Sequence, residues 1–402
     1  MSHNCTFLSE IVPEERVSFS ESTRDNHAAG WGAQAKESGV TPDAVVWPVS
    51  TEEVSAILAA ANERGVPVTP YAAGTSLEGN AVPEFKGISL DMTRMNDVIA
   101  VRPDDFQIDV EPGVLGSTID DEAESYGLFF PPLPSSGDIS TIGGMIANDA
   151  SGMQTVKYGE IGDWVLEVEA VLADGSIITA GSKAVKSSSG YNLRDLLVGS
   201  EGTLGVVTRA TLELAGLPQQ LRGGRAIFST VDDATEAVSD AVQSGVDVAK
   251  IEFIDPLSAE MANQYTGSDL PDAPMTFLEF HANHGVADEI DFCRSIFESH
   301  GVEQFDMSDD GTEMEDLWEA RRELAFAAQT YDPDLQPLHP GDVTVPISKY
   351  PEIVRYATDL AADHDLKLFC FGHAGDGNVH YSPLVDPTNP EMVERGHRVY
   401  DE

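Results

Sequence analysis

The stretch FGHAGDGNVHYSPL, Phe371 to Leu384, sets His373 and His380 seven residues apart around a Gly-Asp-Gly-Asn turn. If the turn folds back, the two imidazoles converge and can offer nitrogen ligands to Zn²⁺ or a similar ion. The competing outcome is two rings packed against a tight turn, and the spacing alone leaves both open. Asp376 and Asn378 carry side chains that shape turns. A second charged stretch, LWEARREL, holds Arg321 and Arg322 in adjacent positions, which a helix points about 100° apart. Taken alone, an arginine on such an acidic helix reads as a surface ion pair. Three glycine-rich stretches complete the inventory: PYAAGTSLEGN (70–80), PPLPSSGDISTIGGMIANDASGMQTVKYGEIGD (131–163) and LLVGSEGTLGVVT (196–208). Glycines let backbone N–H groups approach a phosphate and cup it. None of the three is a Walker A loop or a G-x-G-x-x-G after a strand, so together they point to a large dinucleotide held by loops.

These loops need strands and helices to position them. DAVVWPVS reads as a strand, and STEEVSAILAAANERG as a helix with Ser50 as cap, Glu53 three residues on and Gly65 as its stop. VPVTPYA returns as a strand, closing a βαβ start. ISLDM, IDVEPGV, VLEVEAVLADGSIITA and LGVVTRATLEL are further strands, the Ala-Asp-Gly marking a hairpin turn. Composition shifts at LAGLPQQLRGG, near 214–225. Beyond it DVAKIEFID, MTFLEFHA and LKLFCFGHAG read as strands and EMEDLWEARRELAFAAQ as a helix, the alternation of an α+β domain.

The chain has 402 residues, enough for two cores. Its charge is 23 − 69 = −46, with the acids spread through segments that also pattern as core. A folded protein tolerates that self-repulsion best in strong salt, where the Debye length falls to ~3 Å at 1 M. The same charge argues against nucleic acid or anionic lipid as partner. No run reaches the ~18 apolar residues of a membrane span, and the N-terminus lacks the pattern of a signal peptide; a cytoplasmic location, not transmembrane, is expected. Cys5, Cys293 and Cys370 have no C-x-x-C spacing, which excludes a disulfide framework and an internal iron–sulfur cluster.

VVWPVSTEEVSAILAAANERGVPVTPYAAGTSLEG, GGMIANDASGMQTVKYG and GSEGTLGVVT strongly resemble the FAD domain of the vanillyl-alcohol-oxidase-like flavoproteins. KIEFID, FLEFH, LWEAR, DVTVPIS and GHAGDGNVH resemble, within it, the D-lactate dehydrogenase (cytochrome) and glycolate oxidase subunit branch. The resemblance implies an N-terminal arm (1–38), a two-subdomain PCMH-type FAD-binding domain (39–217) and an α+β substrate or cap domain (218–402) of antiparallel sheet plus helices. It implies that Ala73, Gly74, Thr75, Ser76, Leu77 and Gly79 hold the FAD diphosphate. Ile142, Gly143, Gly144, Ser151, Gly152 and Tyr158 would line the flavin and ribityl region, with Glu201, Gly202 and Val207 on its far side. Some relatives tether the flavin through a His or Cys in these loops; none of the three loops contains either, so dissociable, non-covalent FAD is expected.

The same resemblance makes Arg321 the clamp on the carboxylate of a 2-hydroxy acid, for which its planar fork suits. It makes His373 and His380 ligands of a divalent metal (Zn, Mn or Fe) that favours the substrate alkoxide. Relatives carry a further GEHG-type motif supplying a third ligand and the general base. No Glu-His pair follows His380 in this sequence, and Glu394 and His397 lie on an acidic, helix-like tail and are not assigned those roles. A truncated chain, a second polypeptide or a flavin-binding remnant without turnover would each account for that. Relatives acting on 2-hydroxyglutarate place a Lys just before the Asp of DVTVP; here PLHPG precedes Asp342, with His339 nearby. D-lactate is therefore expected first and glycolate next, ahead of D-2-hydroxyglutarate. Alkyl-glycerone-phosphate synthase-like transfer on the same fold is disfavoured by the scarcity of basic charge. Electrons would leave to a quinone, a cytochrome or an iron–sulfur (Fe-S) partner protein.

Overall fold

The computed structural model describes residues 2–30, 40–77, 79–309, 311–338 and 341–402. The chain forms two compact units: Met1–Gly152 with Gly159–Leu217, and Met153–Tyr158 with Pro218–Glu402.

The first unit holds two sheets. In one, Ala44–Val46 and Val68–Tyr71 each run parallel to Ile88–Asp91, and Val17–Ser18 adds an antiparallel edge. The helix Thr51–Arg64 supplies the crossover. Ser50 accepts from the Glu53 amide at its start, and Gly65, at φ 63°, ends it. The Glu53 side chain does not return to the cap. It takes the Val49 N–H at 2.9 Å and the Arg16 guanidinium, so the polar arm is drawn in. Cys5, Phe7, Leu8 and Val12 are accordingly buried with the sheet's own core residues; the arm shows no such apolar period along its sequence. The second sheet is wholly antiparallel, in the order Val98–Arg102, Gln107–Val110, Val206–Glu213, Val165–Val171, Ile177–Gly181. The expected hairpin joins its last two strands, with Gly175 at φ 86°.

The second unit is built on an eight-stranded antiparallel sheet. Its main order is Gln304–Ser308, Gln220–Ile227, Met275–Ala282, Lys250–Ile254, Lys367–Gly372, Asn378–Val385, Gln336–Pro337, with Gly341–Thr344 also pairing to Asn378–Val385. Strand alternation splits its side chains between two cores. Ile251, Phe253, Leu278 and Phe280 pack with Ala237, Phe297 and Val354, residues of the helices Val231–Gln243, Val286–Ser299 and Tyr350–Asp363. On the other side Ile254, Met275 and Phe277 pack with Met261, Trp318 and Ala327, from Pro256–Thr266, Gly311–Arg322 and Leu324–Thr330. All three cysteines are buried and free. Among the described residues no helix is long and apolar enough to cross a membrane.

Candidate active site

In the first unit the three glycine-rich stretches meet. A cleft enclosing ≈ 1090 Å³, part of it open to solvent, is lined by Ala73, Gly74, Thr75 and Ser76, by Gly143 and Gly144, and by Glu201, Gly202 and Val207. Backbone conformation explains the glycine at 202. It holds φ 73°, and a Cβ there would stand 2.8 Å from Pro70 Cγ. Its neighbour Glu201 takes φ 51°, the left-handed strain that collects at ligand loops. Hydroxyls and amides stitch the loops together: Thr75 Oγ1 and Ser140 Oγ are 3.0 Å apart, and Asn148 Nδ2 donates to Ser76 Oγ at 3.2 Å. Lysine and arginine are absent from the described lining. Small residues and hydroxyls are thus what this cleft offers a dinucleotide, with the glycine-containing turn at Gly74–Ser76 suited to a diphosphate without a cation.

The other residues expected at the cofactor are not among those lining the cleft. Ile142 is wholly buried in the apolar core, and Leu77 and Ser151 are exposed. Gly79 turns the chain at φ 79°, and Gly152 lies so close to the Leu133 carbonyl that a Cβ would be 2.4 Å from its oxygen. Tyr158 belongs to the second unit, where its hydroxyl is 3.0 Å from His281 Nδ1. His281 Nε2 in turn is 2.8 Å from Glu279 Oε1, which also pairs with Lys250 at 2.8 Å. Burial alone would raise Glu279, but the His281 hydrogen bond and the Lys250 ammonium overcome it and hold the carboxyl down to about 2.

The charged centre of the second unit follows from two periodicities. Along Lys250–Ile254 alternate residues face opposite ways, so Glu252 leaves the apolar face held by Ile251 and Phe253. Along Gly311–Arg322, Trp318 and Arg321 share a face three residues apart. Lys250 Nζ lies 4.6 Å from the centroid of Trp318, and Arg321 Nη2 lies 2.6 Å from Glu252 Oε2. Arg321 is only 4% exposed and its guanidinium stacks 4.6 Å over the Phe371 ring. Its Nη2 contact is close but poorly angled for a hydrogen bond, and Nε finds no acceptor among the described residues. Arg322 turns outward to Glu315.

The turn at Ala374–Asp376 and Gly377, at φ 82°, folds Lys367–Gly372 back onto Asn378–Val385. The rings of His373 and His380 converge to 5.2 Å between centroids, edge to face. His373 Nδ1 sits 2.8 and 3.0 Å from the two oxygens of Glu252, whose side chain is fully buried. His380 keeps 28% of its side chain exposed and lies 3.5 Å from Asp342. Desolvation by the protein packed around it, then the charges of His373 and Arg321, push it well below the usual imidazole value. Burial drives Asp376 up to about 6, opposed by His373 and reinforced by Glu252. The Asn378 N–H donates to Asp376 Oδ1 at 3.3 Å, and its side-chain Nδ2 donates to Asp342 Oδ1 at 2.6 Å, a shaping role. The Tyr350 hydroxyl is buried with no partner among the described residues.

Two imidazoles fall short of a metal's usual four ligands. Among the described residues no group of three or more His, Cys, Asp or Glu could hold a metal ion. His339 lies outside the described residues. Glu252 and Tyr350 were not singled out from the sequence. The one signal for Glu252 is an acid inside the apolar strand KIEFI.

Residues 42–181 match the FAD binding domain family and residues 217–402 the FAD linked oxidases, C-terminal domain. The chain is 33% identical to a probable mitochondrial D-lactate dehydrogenase of Danio rerio, over 96% of this chain and 78% of that one. It is 34% identical to the mitochondrial D-lactate dehydrogenase [cytochrome] of Arabidopsis thaliana (89% and 63%) and 34% to the glycolate oxidase subunit GlcD of Bacillus subtilis (90% and 77%). Among solved structures, an alkyldihydroxyacetonephosphate synthase superposes with TM-score 0.81 at 20% identity, covering 100% of this chain and 80% of that one. p-Cresol methylhydroxylase superposes with TM-score 0.78 at 17%, covering 98% and 84%; both report the fold alone. The chain belongs to the FAD-linked oxidases of the vanillyl-alcohol-oxidase-like family, in the branch of the D-lactate dehydrogenases and glycolate oxidase subunits.

Proposed function

We propose that this protein oxidises a D-2-hydroxy acid to the 2-oxo acid with FAD as acceptor, D-lactate first and glycolate next. The observation that carries the reading is a 4%-exposed guanidinium, Arg321, sharing one buried carboxylate with His373, whose ring meets that of His380. Arg321 supplies a planar donor for the substrate carboxylate and fixes the acid's orientation. His380, held neutral by its surroundings, is suited to take the proton of the C2 hydroxyl. When bound, FAD accepts the hydride from C2. Gly74, Thr75, Ser76 and Gly202 would hold it by amides and hydroxyls, with Gly143 and Gly144 giving it room, since their own N–H groups donate to the Pro112 carbonyl and Thr141 Oγ1. No imidazole or thiol is among the described lining residues, which supports dissociable rather than tethered flavin. We assign no step to a metal.

A monocarboxylate is favoured over D-2-hydroxyglutarate because no lysine stands just before Asp342 to hold a second carboxylate. The electrons then pass to a quinone, cytochrome or iron–sulfur protein, and the charge of −46 suits a salt-rich cytoplasm. Steady-state reduction of a dye acceptor in strong salt, with D-lactate, L-lactate, glycolate and D-2-hydroxyglutarate, tests the reading. Turnover led by D-lactate is expected; equal rates with both lactates, or none with any acid, overturn it.

A further inference from the structure

We infer that Glu252 is a positioning residue that fixes the tautomer of His373 and the seat of Arg321 together; the inference rests on the function proposed above. Its two oxygens stand 2.8 and 3.0 Å from His373 Nδ1, and Oε2 stands 2.6 Å from Arg321 Nη2. The carboxyl is fully buried, so water does not compete for those oxygens. Both neighbours are donors. An arginine stays protonated in proteins and has no acceptor atom, and a carboxylate only accepts. His373 must therefore carry a proton on Nδ1, and in the neutral ring the lone pair then lies on Nε2, because the hydrogen bond made by one ring nitrogen sets the state of the other.

The geometry that allows this is local to one strand and its neighbours. Glu252 is held by a strand whose Ile251 and Phe253 anchor in the apolar core on the opposite face. His373 is held by the turn that follows Lys367–Gly372, a strand paired to Lys250–Ile254 through Phe253 and Gly372. Arg321 is braced from its other side by the Phe371 ring. A single carboxylate thus serves the group that binds the substrate's charge and a group beside the reacting hydroxyl. Without it, the imidazole is free to present N–H instead of a lone pair at Nε2, and the guanidinium loses its buried counter-charge.

The Glu252→Gln substitution separates this role from general support. The amide is isosteric, but it can direct its carbonyl to Arg321 and its N–H to His373 Nδ1, which reverses the tautomer. We expect NMR of the ¹³C,¹⁵N-histidine-labelled holoprotein, with the His373 signal assigned by its loss in H373Q, to show the Nδ1–H tautomer in the native chain and the Nε2–H tautomer in E252Q. With D-lactate, E252Q should lose about 10- to 100-fold in kcat, the scale for partners that orient a functional histidine. In an H373Q background the same change should cost less than about threefold more in kcat, as residues acting through one another are non-additive. A structural support would lose flavin and activity alike in both backgrounds. An Nε2–H tautomer in the native chain overturns the inference, as does an equal kcat loss with and without His373. Should E252Q not fold, E252D keeps the two accepting oxygens and must keep the Nδ1–H signal; loss of that signal counts against the inference. If the native chain oxidises no 2-hydroxy acid, the functional reading fails, whereas the tautomer signal still decides what Glu252 does.

Discussion

Replacing Arg321 with lysine keeps a positive charge opposite the buried Glu252 and removes the planar fork. This choice matters, because a neutral residue would strand a buried carboxylate, a loss of about 3–5 kcal/mol that would blur any reading of substrate binding. Two interactions change in the lysine variant. Stacking of the guanidinium over Phe371, at 4.6 Å, contributes about 0.5–2 kcal/mol at a desolvated site. In a unit of this size that is a fall in Tm of about 1–8 °C. The proposed charge-assisted bond to the substrate carboxylate would weigh more in catalysis, about 1.5–3 kcal/mol, or about 10- to 100-fold in affinity. The assay is steady-state turnover of D-lactate with an artificial acceptor, with bound flavin and Tm measured on the same preparation. KM should rise about 10- to 100-fold, and flavin content should stay at the native level. A KM within threefold of native would refute the placement of the carboxylate on Arg321.

Other expectations follow from the same geometry. Gly202→Ala forces a side chain into a left-handed backbone beside Pro70; FAD titration should show about tenfold weaker binding (about 1.4 kcal/mol), and unchanged affinity would remove that loop from the cofactor site. Glu279, held down to about 2, contributes stability that is fully present above its unfolded value of about 4.3 and is lost as pH falls through the folded value. The native chain should therefore exceed E279Q by an order of 3 kcal/mol at pH 7 in urea titrations, the gap narrowing below pH ~4; a gap that widens in acid contradicts the pairing with His281 and Lys250. With a net charge of −46, Tm should climb by 10 °C or more (order of magnitude) between 0.1 and 2 M KCl as screening shortens below ~10 Å; a flat response would remove the case for a salt-rich setting.

Much of the scaffold is legible where one local rule dominates. Ser50 and Gly65 bracket Thr51–Arg64 because capping and left-handed termination depend on a few adjacent residues. The hairpin at Gly175 is similarly local. What eluded the sequence is set by contacts distant along the chain. Glu53 favours Arg16, 37 residues away, over its own cap. Glu252 meets His373 across 121 residues, so its acid reads as an oddity in an apolar strand until the sheet is folded. The loops were readable as a dinucleotide cradle by their glycines, yet which residues face the cleft depends on turns: Gly143 and Gly144 line it while the adjacent Ile142 is core. His373 and His380 do converge, because Gly377 lets the hairpin close.

The most direct measurement is the flavin absorbance of purified, salt-stabilised, FAD-loaded protein mixed anaerobically with D-lactate, and separately with L-lactate. Stoichiometric bleaching of the oxidised-flavin band is expected with the D-enantiomer and none with the L. A yellow band that persists through saturating D-lactate, D-2-hydroxyglutarate and glycolate would contradict it.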